Sequence, residues 1–301
     1  MAMRTYFISA LCLIKVFLGG NNLKRFVCAS NSHNSFNELY KPNKNYIDTP
    51  KEFHFNHENI SDLALTMKKG SWVNLPFCST LEAELLGASV SLNYPGAMIT
   101  DSTYSDLNHI PLALNFESKR FHAMVLALND LRNENIIYNI EGPFTILSAL
   151  VDLKIIFKSM KNEKSTFDFI MNFITDFIVL YGKLVYEKGV KILSFGDPLG
   201  TIDIIGPKVF KDVYKHYCIN LLSRLHEQCP DATIHICGKL TQNLLDSNCC
   251  NVKEYVSLNS TTYGESLLEY TKIPGHSPFL GLNCINCIDA PLNKLTILNF
   301  N

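Results

Sequence analysis

Two side chains of metal-binding type stand two positions apart in Ala232-Thr-Ile-His-Ile-Cys-Gly-Lys239. The run reads as a short buried strand, and a strand alternates its side chains between two faces. His235 and Cys237 therefore share one face, while Ile234 and Ile236 pack on the other. An imidazole and a thiolate side by side suit zinc. Taken alone, the pair is as compatible with two ordinary core residues, so the zinc reading needs further donors. Leu282-Asn-Cys-Ile-Asn-Cys287 supplies them after a short apolar strand candidate. If the strands close into a barrel, Cys284 reaches the rim that carries His235 and Cys237, and three protein ligands leave the fourth zinc position open for chemistry. The rival arrangements are a closed site that also uses Cys287, a redox pair of Cys284 with Cys287, and plain packing. Cys249-Cys250 and the lone Cys12, Cys28, Cys78, Cys218 and Cys229 read as packing.

The elements that must position these residues alternate in type. Strand candidates are Val73–Pro76, Ile136–Gly142, Lys191–Asp197, the His-x-Cys run, Tyr255–Asn259, Lys272–Gly275 and Phe279–Asn283. Between them, Ser79 with Glu82 forms a capping box for a helix that Gly87 stops, and a second helix spans about 116–132. Pro143 suits the first turn of a helix carrying Ile146, Leu147 and Leu150. An amphipathic helix starts at Ser165, runs through Phe167, Ile170, Ile174, Phe177 and Tyr181, and ends at Gly189; another starts at Pro207. Alternating strands and helices imply a parallel sheet with helices outside, and the length suits a single-domain (β/α)8 barrel, with a doubly wound open sheet as the alternative. Glu141, Asp197, His235, Cys237 and His276 all fall at or just beyond strand C-termini, the rim that bears barrel active sites. Asn259 ends the strand candidate after His-x-Cys, and with His276 it is a candidate for binding substrate at the pocket mouth.

Composition narrows the partners. The chain has 301 residues, 47% of them hydrophobic, enough for a sizeable core. Lys plus Arg number 27 against 28 Asp plus Glu, with no basic stripe, which argues against nucleic acid. Ten irregularly spaced cysteines in the company of His235 point to reduced thiols and a cytoplasmic setting. Arg4 and the apolar run Thr5–Ile14 imitate a signal peptide, but Lys15, Lys24 and Arg25 interrupt it, and it falls short of the roughly 20 residues that span a bilayer, so no membrane partner is expected. Residues 1–60 are expected as an N-terminal helix and a polar loop, from Asn31 to Asn59, packed on a barrel formed by 61–301.

His235-Ile-Cys237-Gly-Lys, Glu-Gly-Pro-Phe at 141–144, Gly-Asp-Pro-Leu-Gly at 196–200 and Cys284 seven residues before Pro291 together resemble the uroporphyrinogen decarboxylase superfamily, over roughly Phe77 to Leu295. More narrowly they resemble its corrinoid branch, the methylcobamide:coenzyme M methyltransferases, in which His-x-Cys and a distant Cys bind zinc. The resemblance implies a (β/α)8 barrel whose zinc, on His235, Cys237 and Cys284, binds a small thiol acceptor that takes a methyl group from a methylcorrinoid carried by a corrinoid protein. Asp197 and Glu141 are then the catalytic candidates, orienting the substrate or the ligand histidine; otherwise each is a strand-end carboxylate capping a helix. The decarboxylases' Arg-rich N-terminal motif is missing from residues 1–60, which argues against porphyrinogen decarboxylation. Tyr255–Asn259 lacks the acidic residues usual in the methyltransferases, so coenzyme M, homocysteine and other thiols all stay open as acceptors. A decarboxylase and a non-catalytic tetrapyrrole-binding barrel are the alternative readings.

Overall fold

The computed structural model describes residues 50–92, 96–292 and 294–300. In chain order it begins with α1 (Pro50–Phe55), α2 (His57–Thr66), β1 (Trp72–Leu75), α3 (Leu81–Leu85), β2 (Val90–Leu92), β3 (Ala97–Ile99) and α4 (Lys119–Asp130). Next come β4 (Asn135–Glu141), α5 (Pro143–Leu150), α6 (Leu153–Asn162), α7 (Lys164–Tyr186), β5 (Ile192–Gly196) and α8 (Ile202–Val209). The rest is α9 (Lys215–Gln228), β6 (Thr233–Ile236), α10 (Gly238–Asp246), β7 (Cys250–Ser257), α11 (Tyr263–Tyr270), β8 (Phe279–Gly281) and β9 (Lys294–Phe300).

Seven strands form one sheet in the order β1-β4-β5-β6-β8-β9-β7, and the pairs from β1 to β8 are parallel. The central strands are covered on both faces, which is why β4, β5 and β6 read as nearly unbroken apolar runs. On the outer face Ile136, Tyr138, Ile140, Leu193, Phe195, Ile234 and Ile236 share one core with Ile174, Ile178 and Tyr181 of α7 and Leu221, Leu222 and Leu225 of α9. On the inner face Trp72, Ile137, Ile192, Leu280, Leu295 and Ile297 close around Tyr263, Leu267 and Tyr270 of α11. The Trp72 indole N–H donates to the Gly264 carbonyl at 2.7 Å, which ties the first strand to α11.

This is the α/β class with a largely parallel sheet, but eight-fold closure is not seen among the described residues. The sheet there has two edges, β1 and β7. β9, which no strand candidate anticipated, enters antiparallel between β8 and β7, so β8 rather than β7 lies beside β6. The expected strand Lys272–Gly275 is instead the turn leaving α11: the amides of Lys272 and Ile273 donate to Glu269 and Tyr270, and Gly275 has φ +67°. The Ser79–Glu82 capping box does not form, because Thr80 is the N-cap and the Glu82 side chain points inward.

The expected first helix lies outside the described residues, as does the polar loop as far as residue 49. Its last part is helical rather than loop. Asn56, which reads as a loop residue, is the N-cap of α2, its side chain accepting from the Asn59 amide at 3.0 Å. Among the described residues α7 is long and apolar enough to cross a membrane by length and composition, and 56% of that stretch is buried within the fold.

Trp72 is 1% exposed, so its indole donor is replaced by no water. Trp72→Phe is expected to lower the unfolding free energy by about 0.5–1.5 kcal/mol in urea titrations, from the lost bond to the Gly264 carbonyl.

Candidate functional site

Register builds the site on the inner face of the sheet. Asn139, Ser194 and His235 stand opposite one another on β4, β5 and β6, and Asn139 donates to Asn74 of β1 at 2.8 Å. These residues form a polar row above the apolar floor of Ile137 and Ile192, with Leu280 of β8 level with His235. One step nearer the strand C-termini, Glu141 pairs with Gly196. The amide of Cys237 continues the β5–β6 ladder by donating to the Phe195 carbonyl at 2.8 Å, which sets Cys237 beside Gly196.

His235 is fully buried, and neither ring nitrogen has a hydrogen-bond partner. Burial pushes its imidazole down to about 4, so the ring is neutral near pH 7 and carries a lone pair ready for a metal. The Tyr263 ring packs on it edge-on, with centroids 6.1 Å apart. The Tyr263 hydroxyl is also buried; burial raises its pKa, Asn283 beside it opposes the rise, and the nearby sulfurs of Cys284 and Cys287 raise it further. Tyr263 therefore links the imidazole to the cysteine turn beyond β8. Cys284 begins that turn as the N-cap of a 3-10 segment, Ile285–Cys287, and β8 pairs directly with β6 at His235–Leu280.

The donor types and the orphaned imidazole fit zinc, although among the described residues no three His, Cys, Asp or Glu side chains stand together as a preformed metal cluster.

Asp197 does not serve His235. Its Oδ1 accepts from the Thr145 amide (2.8 Å) and hydroxyl (2.6 Å), and its Oδ2 accepts from the Phe144 amide (3.1 Å), so it caps α5 from the neighbouring loop. The chain's own cap position, Gly142, has no side chain to do this, and a Cβ there would collide with the Asp197 carboxyl. Burial raises the Asp197 pKa, and these hydrogen bonds oppose the rise.

Glu141 does not reach His235 either. Its amide donates to Glu82 Oε1 at 3.1 Å, while the Oε2 atoms of both residues are buried without partners. Burial lifts Glu82 to about 7. Glu141 is raised further still, by burial and then by the charges of Glu82 and Asp197.

Two expected binding residues lie elsewhere. His276 bonds Thr233 Oγ1 (2.9 Å) and the Ile273 carbonyl (3.0 Å). Thr233 opens β6, so His276 sits at the opposite end of the sheet from Cys237; it precedes β8 because Lys272–Gly275 is a turn and not a strand. Asn259 is exposed beyond β7, which β8 and β9 separate from β6. Sequence reasoning missed Glu82, assigned to a capping box with Ser79, and Tyr263, whose position carries no local signal. Asn139 and Ser194 were legible as polar interruptions of apolar strands.

The described sheet is largely parallel and carries the imidazole and the thiol toward the C-terminal end of β6. The family model for uroporphyrinogen decarboxylase (URO-D) matches residues 41–269, and the chain belongs to that family. It is 25% identical over 213 residues to the methylcobamide:CoM methyltransferase MtaA of Methanosarcina barkeri, matching 66% of this chain and 61% of that protein. It is 26% identical over 198 residues to a methylated-thiol–coenzyme M methyltransferase of Methanosarcina mazei, matching 62% of this chain and 52% of that protein. The chain thus spans less than two thirds of the length of these relatives. A solved methyltransferase structure from Methanosarcina mazei shares the fold, with a TM-score of 0.58 at 22% identity over 68% of this chain and 64% of that one.

Two stability measurements follow from this geometry. Gly142→Ala is expected to cost about 1–3 kcal/mol, because the added methyl displaces the Asp197 cap; equilibrium unfolding reads it. Glu82, raised from 4.5 to about 7, favours folding in its neutral form, so its contribution is complete below pH 4.5 and is lost as the pH rises through 7. Glu82→Gln should therefore flatten a fall in unfolding free energy on the order of 3 kcal/mol across that window.

Proposed function

We propose that the protein is a methyltransferase that moves a methyl group from a methylated corrinoid, carried by a corrinoid protein, to a small thiol. In this reading His235, Cys237 and Cys284 hold zinc, and the parallel strands are part of a (β/α)8 wall. The observation that carries it is the fully buried His235, with two unpartnered ring nitrogens on the inner face and Cys237 two residues on. An unsatisfied buried imidazole costs free energy and is not kept for packing.

Zinc, when bound, would lower the pKa of the acceptor thiol so that it is a nucleophile near neutral pH. The chain supplies the rest. His235 needs no deprotonation before it donates its lone pair. Cys237 sits at the N-cap of α10, where the helix N-terminus favours a thiolate. The apolar floor and α11 keep water from the inner face, and Tyr263 packs the imidazole in place. Asp197 acts at one remove, by fixing the start of α5 beside the site. The names of the relatives support both the methyl transfer and the thiol acceptor; coenzyme M is the acceptor in those names.

The test is metal content and thiol-dependent demethylation of methylcobalamin, measured on protein purified under reducing conditions. One zinc per chain is expected in the wild type and in Cys287→Ser. In Cys237→Ser and Cys284→Ser the metal should be lost, and demethylation should fall by at least roughly 100-fold, the upper end of what losing a residue that supports a metal site costs. Wild-type protein without zinc overturns the mechanism. Turnover of a porphyrinogen insensitive to chelators would favour the decarboxylase, and corrinoid binding that survives loss of both cysteines would favour a non-catalytic barrel.

A further inference from the structure

The turn beyond β8 carries two thiols three residues apart, and its backbone brings them together. Cys284 is the N-cap of the 3-10 segment Ile285–Cys287, and the Cys287 amide donates back to the Cys284 carbonyl at 2.9 Å. A turn closed by such a bond holds its first and last Cα atoms within about 7 Å, and 3-10 geometry sets side chains three apart on the same side. A disulfide spans Cα atoms roughly 4.4–6.8 Å apart, so the turn already has the separation a bridge requires. Both sulfurs lie near one group, the Tyr263 hydroxyl.

The core holds this turn in place. Ile285 and Ile288 are buried and pack with Trp72, Tyr263 and Leu267. The Gly264 amide donates to the Ile288 carbonyl at 2.8 Å and the Tyr263 amide to the Ala290 carbonyl at 2.9 Å, which fixes the turn to the start of α11. Gly264 permits this approach, because a Cβ there would collide with Ile288 Cγ2. Two thiols held at a fixed separation meet at a high effective concentration, which favours an internal disulfide over mixed disulfides with a small thiol.

Exposure separates the pair from the other described cysteines. Cys284 and Cys287 are half-buried, whereas Cys218, Cys229, Cys249 and Cys250 are buried. Burial also raises the Cys229 and Cys250 thiols to about 12, and those of Cys218 and Cys249 in the same direction, which removes the thiolate that exchange requires. Cys78 and Cys237 are half-buried too, but neither has a cysteine three residues away.

We propose that Cys284 and Cys287 are a thiol–disulfide couple whose redox state decides whether Cys284 is available to the site. The bridge stands on the geometry of the turn; its effect on the site rests on the zinc reading. With glutathione disulfide as oxidant, the thiolate of one cysteine attacks the reagent's S–S bond, and one glutathione thiolate leaves. The second cysteine loses its proton and attacks the mixed disulfide, which releases the other glutathione. Two electrons pass from the cysteine pair to the reagent, and the two cysteine protons balance the two glutathione thiols formed.

The experiment equilibrates the full chain, stripped of metal by a chelator, in mixtures of reduced and oxidised glutathione. Remaining thiols are blocked with N-ethylmaleimide, and disulfides are mapped by peptide mass spectrometry. A bridge from Cys284 to Cys287 is expected, reversed by dithiothreitol, its ratio to the reduced turn changing about tenfold for each tenfold change in oxidised glutathione over the square of reduced glutathione. Cys287→Ser is expected to carry a glutathione adduct on Cys284 in place of the bridge. A wild-type turn that stays reduced in oxidised glutathione, or gains only glutathione adducts, overturns the proposal and leaves the zinc reading standing; this arm needs no variant to fold. A bridge from Cys284 to Cys237 overturns it as well. In the zinc-loaded chain the metal is expected to hold Cys284 and lower the bridged ratio by at least about tenfold. Zinc without that protection overturns the effect on the site, together with the zinc reading, and leaves the couple.

Discussion

The Asp197 carboxylate is the constraint on which the site's geometry depends. It closes two loops at once, capping α5 through Phe144 and Thr145 while it sits on the turn that follows β5. Gly142 and Gly200 have no side chains because that carboxyl, and the Tyr214 ring packed behind it, occupy the places where their Cβ atoms would stand. The result is a rigid corner that sets where Glu141 leaves β4 and where Gly196 leaves β5. Gly196 in turn lies beside Cys237. A buried carboxylate is costly in isolation; here three hydrogen bonds compensate it, and it serves geometry rather than proton transfer.

The inner face shows the opposite economy. Asn139 is satisfied by Asn74, yet His235, Glu82, Glu141 and Tyr263 all keep buried polar atoms without partners. His235 and Glu141 lie toward the strand C-termini, and an unpartnered polar atom there is the pattern of a site built to receive a ligand. Burial drives His235 and Glu82 toward their neutral forms, with values near 4 and 7. Near neutral pH the pocket therefore offers a lone pair and a weak base rather than a field of fixed charge.

The sheet also departs from a regular alternation. α11 lies against the inner face and packs on Trp72, Ile137, Ile192 and Leu280. β9 enters antiparallel, bridging β8 to β7. Putting β8 directly beside β6 brings the Cys284 turn next to the His235 strand, and the same rearrangement carries Asn259 away from it.

Local patterning legibly determined much of this protein. Period-two burial placed His235 and Cys237 on one face. Pro143 started α5, Gly189 stopped the helix before β5, and the strand–helix alternation implied the parallel sheet. These features depend on neighbours within a few residues, which the chain displays directly. What only the tertiary structure decided rests on partners far apart in sequence: Glu82 meeting Glu141 across 59 residues, Asp197 meeting Thr145 across 52, and Tyr263 edge-on to His235. His276 was misplaced because Lys272–Gly275 has strand-like length but holds a proline and a glycine with positive φ, and the turn they make delivers the histidine to the far end of β6. Whether a carboxylate caps a helix or stands unpartnered beside another is set by which distant groups surround it, and a one-dimensional pattern does not carry that information.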